Sequence, residues 1–378
     1  MKVLLVTEHT ADDRKSLAAV RSLARNGADV TVASDTSICP PLWSRHCKSR
    51  VRCPDPVSDW ANFSDWISKQ VLQGQYDLVL PLSDYPTMAM VEQQSMLTGR
   101  MAIPIPPAEF CALAHDKLKL IRLASTLGID VPQTWCPANR EDVKAFSQSV
   151  SFPCVLKLRK GAGASGLSFP ESPEELLDCY DKLGGASDSV FSTDRPLIQE
   201  YIPGRIHDAC MLFNHGEPRA AFTQKRLAMY PRSGGVGIYN QSTDQPELRE
   251  KAESLLRALK WHGPAMVEFK RDERDGKFKL MEINARYWGT LDLAIQAGVN
   301  FPWLACRMAI DGDIDPVTHC QTGLKYRWNW TYGFRYVLQS DRKLQALREF
   351  YLPAVNTLSE FRFSDPVPHL VAAIRGRT

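Results

Sequence analysis

Met266-Val-Glu-Phe-Lys270 and Leu280-Met-Glu-Ile-Asn-Ala-Arg286 flank the polar turn Asp272-Glu-Arg-Asp-Gly276. The two runs read as strands over 265–271 and 277–284, closed into a hairpin by the Asp- and Gly-rich turn. Glu282 and Asn284 stand two apart, so they share one face of their strand. Folding back brings Glu268 beside Glu282, with β-carbons about 5 Å apart. Val267, Phe269, Leu280 and Ile283 surround the two acids, so water cannot fully screen them. Like charges so placed persist if they share a proton or hold a cation. Two carboxylates and an amide oxygen are hard ligands, suited to Mg2+ carrying substrate phosphates. The alternative is an exposed polar hairpin face.

Upstream, Val155-Leu-Lys-Leu-Arg-Lys-Gly-Ala-Gly-Ala-Ser-Gly166 sets Lys157 in an apolar strand and follows it with Gly161, Gly163, Ser165 and Gly166. A lysine on such a strand needs an anionic partner. Backbone amides of a glycine-rich loop can close over phosphate oxygens. The Gly-Lys-Ser/Thr ending of a Walker A loop is missing.

Towards the N-terminus, 2–7, 29–33 and 77–82 are apolar strands. They alternate with helices over 12–26 and around Trp60, Phe63, Ile67 and Val71, which predicts a parallel sheet covered on both faces. The first strand-to-helix turn, 7–14, has no glycine, which argues against a dinucleotide fold. The stretch 101–107 reads as a rigid linker. Beyond it come a helix capped by Asp116, a strand at 153–158, a capping box at Ser172-Pro-Glu-Glu175, strands at 197–202, 208–213 and 220–227, and a helix from Pro246. The pattern is α/β first, then α+β.

Taken in order, these parts resemble the ATP-grasp superfamily over roughly residues 1–310. His115-Asp-Lys-Leu with Gly128-Ile-Asp-Val-Pro-Gln-Thr134 is similar to that family's first nucleotide segment, which implies that Lys117 reaches ATP phosphates. Lys157 matches the second nucleotide lysine, and 161–166 the phosphate-covering loop. Gln199-Glu-Tyr-Ile-Pro-Gly204 resembles the hinge, where Glu200 and the backbone at Tyr201 and Ile202 would meet adenine. Glu268, Glu282 and Asn284 match the magnesium ligands. Arg286 matches the arginine that steadies the transferring phosphoryl group. The stretch 282–298, with Phe222-Thr-Gln-Lys-Arg226 and Pro231-Arg-Ser-Gly-Gly235, resembles carboxylate–amine ligases similar to the ATP-binding half of carbamoyl phosphate synthase. There Lys225 or Arg226 would face phosphates or a substrate carboxylate. His207 stands where many members carry a ribose-binding acid, with Asp208 beside it; a ribose ligand and a satisfied core histidine are both open readings.

The resemblance implies a Rossmann-like pre-ATP-grasp domain (1–110), a small ATP-grasp lobe (111–195), a large lobe with the Mg-ATP site (196–310) and a short helical tail (311–378). It implies an ADP-forming ligase that makes an acyl phosphate from a small carboxylate and passes it to an amine. Alternatives are a bicarbonate-using carboxylating or carbamoyl-type enzyme, and a nucleotide-binding module without catalysis.

The bulk composition is compatible with this. The chain has 378 residues, 44% of them hydrophobic, and a net charge of +3, too small to imply nucleic acid or membrane partners. Its ten cysteines form no CxxC pair. They read as reduced thiols of a cytoplasmic protein, and Cys39, His46, Cys47 and Cys53 as structural residues more than a metal site. The aromatic, basic run 325–336 reads as helical packing more than a base-stacking surface. No feature fixes the oligomeric state; a homodimer is the commonest arrangement.

Overall fold

The strand β1 (Lys2–Val6) is apolar on both faces, and Val3 to Val6 are wholly buried. Such a strand is stable only with cover on both sides, the situation of a parallel sheet. In the computed structural model, which describes residues 1–7, 13–97, 99, 101, 103–160, 166–184, 195–232 and 234–375, β1 pairs in parallel with β2 (Asp29–Ser34) and β4 (Leu78–Pro81). The edge strand β3 (Ser49–Arg52) completes the order β3-β2-β1-β4. Helix Arg14–Arg25 buries Leu17, Val20 and Leu23, and helix Trp60–Leu72 buries Phe63, Ile67 and Val71.

A small antiparallel sheet follows, with β7 (Leu197–Glu200) between β5 (Thr134–Trp135) and β6 (Cys154–Lys157). Helices Arg140–Phe146 and Pro173–Gly184 cover it around Val143, Leu156, Leu176 and Ile198.

The third sheet has seven strands: β8 (Ile206–Asn214), β9 (Glu217–Tyr230), β10 (Val236–Thr243), β11 (Gly263–Arg271), β12 (Phe278–Asn284), β13 (Lys325–Arg327) and β14 (Thr357–Ser359). Their order is β12-β11-β8-β9-β10-β13-β14. Neighbours are antiparallel except β13 and β14. Helix Pro246–Ala258 packs Leu248, Ala252, Leu255 and Leu256 into the core beneath it.

The C-terminal segment is helical at Phe334–Gln339, Lys343–Tyr351 and Val367–Arg375. It also adds β13 and β14 to the large sheet, which the periodicity of 325–336 did not announce. Its last part returns to the first helix. Arg21 donates to the Asp365 carboxylate at 2.8 Å and to its carbonyl at 3.0 Å, while Ser44 Oγ and the Arg45 amide hold the same carboxylate at 2.7 and 3.0 Å. Arg21 and Asp365 are both buried.

Among the described residues no helix is long and apolar enough to cross a membrane. Cys39 and Cys53 are buried thiols, and the Cys47 thiol donates to the Ser49 carbonyl at 3.1 Å.

Candidate active site

The register of three strands lines up the acids of the large sheet. Glu268 on β11 sits opposite Glu282 on β12 and opposite Asp208 on β8. Asp208 in turn faces Gln224 on β9. The hairpin carries a bulge after Glu268, so Phe269 pairs with Leu280 and Met281 is left over. The acidic pair lies beyond that bulge from the turn, and the one-residue shift is what sets Glu268 opposite Glu282.

The row opens into a cavity of about 420 Å3 bounded by the small sheet above and the large sheet below. Burial raises the Glu268 carboxyl above the usual carboxylate range; Glu282 and Asp208 push the same way, and Arg226 only partly offsets them. Burial also works against ionised Glu282, but Lys117, Lys157, Asn284 and Arg286 outweigh it and hold that carboxyl below its usual value. Arg226 bridges the row: it bonds Asp208 at 2.7 and 3.2 Å and reaches the Glu268 carboxylate. Gln224 donates to Asp208 at 2.8 Å and exchanges hydrogen bonds with Thr290.

The donor set suits a hard divalent cation. Two facing carboxylates and the Asn284 amide project into one cavity. The acidic pair carries more negative charge than burial tolerates, as the raised Glu268 carboxyl records. Among the described residues no three His, Cys, Asp or Glu side chains gather as a metal cluster. Magnesium in such a site takes few protein ligands and completes its shell with phosphate oxygens and water.

Lys157 ends β6 and points into the same cavity, buried. Burial, with Lys117 nearby, pushes its amine down to about 8 against the pull of Glu282 and Glu268. Lys117 opens helix Lys117–Thr126, which Asp116 caps by accepting from the Leu118 and Lys119 amides. Asp116 also grips Arg159 at 2.8 and 2.7 Å, and the Lys117 amide donates to the Arg159 carbonyl. The helix start and the end of β6 are thereby tied together, which delivers both lysines to one place.

The hinge between the sheets follows β7. Glu200, Tyr201 and Ile202 line the cavity beside Val155 and Met281, an apolar slot with polar ends. Lys270 donates to the Ile202 carbonyl at 2.7 Å and lies 4.9 Å from the Tyr201 ring centre. Glu200 is held by Arg274 at 2.5 Å. Gly204 turns the chain at φ +124°, where a β-carbon would lie 2.0 Å from the Arg271 carbonyl oxygen.

Arg286 donates to Asn284 Oδ1 at 3.0 Å and to Asp84 at 2.7 Å. Asp84 opens helix Asp84–Glu92 beside the parallel sheet. Burial opposes its charge, but Arg286 dominates and keeps its carboxyl low. Arg14, at the start of the first helix, also lines the cavity, with its Cζ 3.4 Å from the centre of the Trp328 ring.

Of the residues singled out from the sequence, Lys117, Lys157, Glu200, Tyr201, Ile202, Arg226, Glu268, Glu282, Asn284 and Arg286 line this one cavity. Gly161, Gly163 and Ser165 lie outside the described residues; Gly166 is described and sits at φ +71°. Lys225 and His207 do not join the site. They face each other across β8 and β9 one residue out of phase with Arg226 and Asp208, on the other side of the sheet. The His207 ring packs edge-on against Phe278 at 5.2 Å, and burial depresses its basicity to about 4. The ring is packed in the core but not satisfied there, since its buried Nδ1 has no hydrogen-bond partner, and Asp208 is the acid that lines the cavity. Asp84, Asn240 and Arg14 were not singled out, because each comes from a segment remote from the hairpin, and Gln224 was passed over within the quoted stretch Phe222–Arg226.

Two lobes around a cleft lined by paired lysines and paired acids are the arrangement that ATP-grasp proteins share, and two family models of that kind each match part of this chain. A family model described as ATP-grasp in the biosynthetic pathway with Ter operon matches residues 194–332. The ATP-binding domain of the carbamoyl-phosphate synthase L chain matches residues 116–209. The chain is 25% identical over 186 residues, 47% of its length, to a putative urea carboxylase of Emericella nidulans, and covers 15% of that protein. It spans less than a fifth of the curated relatives it matches first. Among solved structures it resembles biotin carboxylase of Campylobacter jejuni in complex with β-γ-ATP, with a TM-score of 0.71 at 16% identity, covering 86% of this chain and 74% of that one. It also resembles the L-amino acid ligase of Bacillus licheniformis, with a TM-score of 0.60 at 16% identity, covering 83% and 77%.

Proposed function

We propose that the protein is an ADP-forming ligase that phosphorylates a small carboxylate and transfers the acyl group to an amine. The observation that carries this is the pairing of Glu268 with Glu282 in register, inside the cavity that also holds Lys157, Lys117 and Arg286. The adenine ring occupies the apolar slot at Tyr201 and Ile202, with Glu200 at its edge. Lys117 and Lys157 bind the phosphates. Glu268, Glu282 and Asn284 would hold Mg2+, which when bound neutralises phosphate charge. The division at about residues 110, 195 and 310 into a parallel domain, two grasp lobes and a tail follows from the same reading.

A carboxylate is a poor acyl donor because oxide is its leaving group. In the first step a carboxylate oxygen attacks the γ-phosphorus and the bond to ADP breaks. Arg286 lies next to the acidic pair, where its guanidinium meets charge that develops on the transferring group. In the second step the amine attacks the acyl carbon, phosphate leaves, and the amine loses a proton. The small lobe over the cleft keeps water from the acyl phosphate.

The decisive assay is phosphate release from Mg-ATP across a matrix of acids and amines. ADP and phosphate formed only when both are supplied are the expected products; AMP and pyrophosphate would refute the acyl-phosphate route. A second reading, activation of bicarbonate, is supported by the likeness to carboxylases, and it predicts ADP release driven by bicarbonate alone.

A further inference from the structure

Gln199, in the cavity wall, bonds Thr134 through Nε2 and leaves only its Oε1 without a partner, whereas two other side chains there have no polar atom bonded at all. Asn240, on β10, is fully buried, and neither its Nδ2 nor its Oδ1 has a hydrogen-bond partner. Trp288, 1% exposed, has an indole Nε1 in the same condition. Both residues line the cavity. Asn240 lies between Arg226 on β9 and Tyr326 on β13. Its amide fills space that Gly237 leaves open, since a β-carbon there would lie 2.5 Å from Oδ1. Trp288 packs edge-on against Phe301 at 4.9 Å and precedes Thr290, which Gln224 pins to the sheet.

Buried polar groups are nearly always paired, and a primary amide left unpaired on both sides is costly. Such a group is retained where a ligand completes it. The inventory then describes the ligand. Nδ2 and the indole N–H need acceptors, and Oδ1 needs a donor. A plain carboxylate offers acceptors only. An amino or hydroxyl group on the carbon beside a carboxylate supplies the donor at about the spacing of the two amide atoms. The Arg14 guanidinium, which lines the same cavity, favours an anion.

We propose that the Asn240 amide and the Trp288 indole N–H form the specificity subsite for the acid substrate, and that this acid carries an amino or hydroxyl group next to its carboxylate. The inference rests on the ligase reading and adds the substrate class to it.

The test uses the full chain with Mg-ATP and hydroxylamine as a generic amine, which converts an acyl phosphate into a hydroxamate and phosphate. Matched series of α-amino acids, their α-hydroxy analogues and the unsubstituted acids of the same skeleton are compared. The expected result is a kcat/KM at least about tenfold higher for one substituted series, because a site built to bond a donor rejects the analogue that lacks it. Asn240→Leu should bring the two series to near parity and leave ATP affinity unchanged. Its melting temperature without ligand should stay level or rise, because an uncompensated amide is removed. Trp288→Phe should reduce the preference as well. Equal rates for substituted and plain acids, or a preference that survives Asn240→Leu, overturn the subsite and leave the ligase reading intact. A loss of stability in Asn240→Leu would assign the amide to structural water and overturn it too. Absence of hydroxamate from every acid sinks the ligase reading itself, and the subsite with it.

Discussion

Lys157 is the residue on which the proposed nucleotide site can be tested most directly. Its amine is buried at the end of β6 and pushed down to about 8, and a phosphate bound beside it would favour the charged form. A cation about 4 Å from an oxyanion is worth ~4 kcal/mol at an effective dielectric of about 20. Lys157→Ala should therefore weaken ATP binding by on the order of a hundredfold or more, measured by calorimetry. Arg286 stands apart from the nucleotide slot and bonds Asn284 and Asp84. Arg286→Ala should cost turnover about a hundredfold or more while ATP affinity changes little, a split read from kcat against the nucleotide dissociation constant. Both acids of the hairpin could be read, although counting back from the turn alone sets Glu268 opposite Met281, and it is the bulge after Glu268 that brings it to Glu282. The choice between His207 and Asp208, or Lys225 and Arg226, could not. His-Asp-Ala-Cys-Met-Leu-Phe is buried on both faces of β8, so nothing in it marks which parity faces the cleft, and a slip of one residue exchanges the faces.

At the scale of elements, the hinge turn after β7 is held by close backbone packing. Gly204 combines φ +124° with a carbonyl oxygen where its β-carbon would be. Gly204→Ala should lower the melting temperature by several degrees, a cost of about 1–3 kcal/mol or more, and weaken nucleotide binding because Glu200 to Ile202 lose their position; thermal shift with and without ATP reads both. The parallel sheet and the hairpin were legible because their apolar residues recur with a clear period. β10, Val236–Thr243, was not: it has glycine at its second position and holds Asn240, Gln241 and Ser242, which read locally as a loop, and only pairing with β9 and β13 makes it a strand. The short β13 and β14 were hidden for the same reason, since their partners lie far away in sequence.

For the whole molecule the clasp of Asp365 on Arg21, Ser44 and Arg45 joins the C-terminal segment to the parallel sheet. Burial raises the Asp365 carboxyl, but the Arg45 amide, Arg21 and Ser44 outweigh that and hold it below the usual range. Removing one partner of a buried pair costs about 3–5 kcal/mol, so Asp365→Asn should be clearly less stable at neutral pH. The sign follows from the depressed carboxyl: its contribution is complete above the unfolded value of about 3.9 and is lost as pH falls through the lower folded value. Denaturant melts of wild type and Asp365→Asn should differ by a constant amount down to about pH 4 and converge below it.

The clasp spans 344 positions along the chain. The first helix is synthesised long before the segment that secures it, so the emerging parallel sheet has an open flank until the final stretch appears. A nascent chain halted short of residue 365 should be digested by protease first around that flank, and a peptide carrying the missing stretch, added in trans, should restore protection.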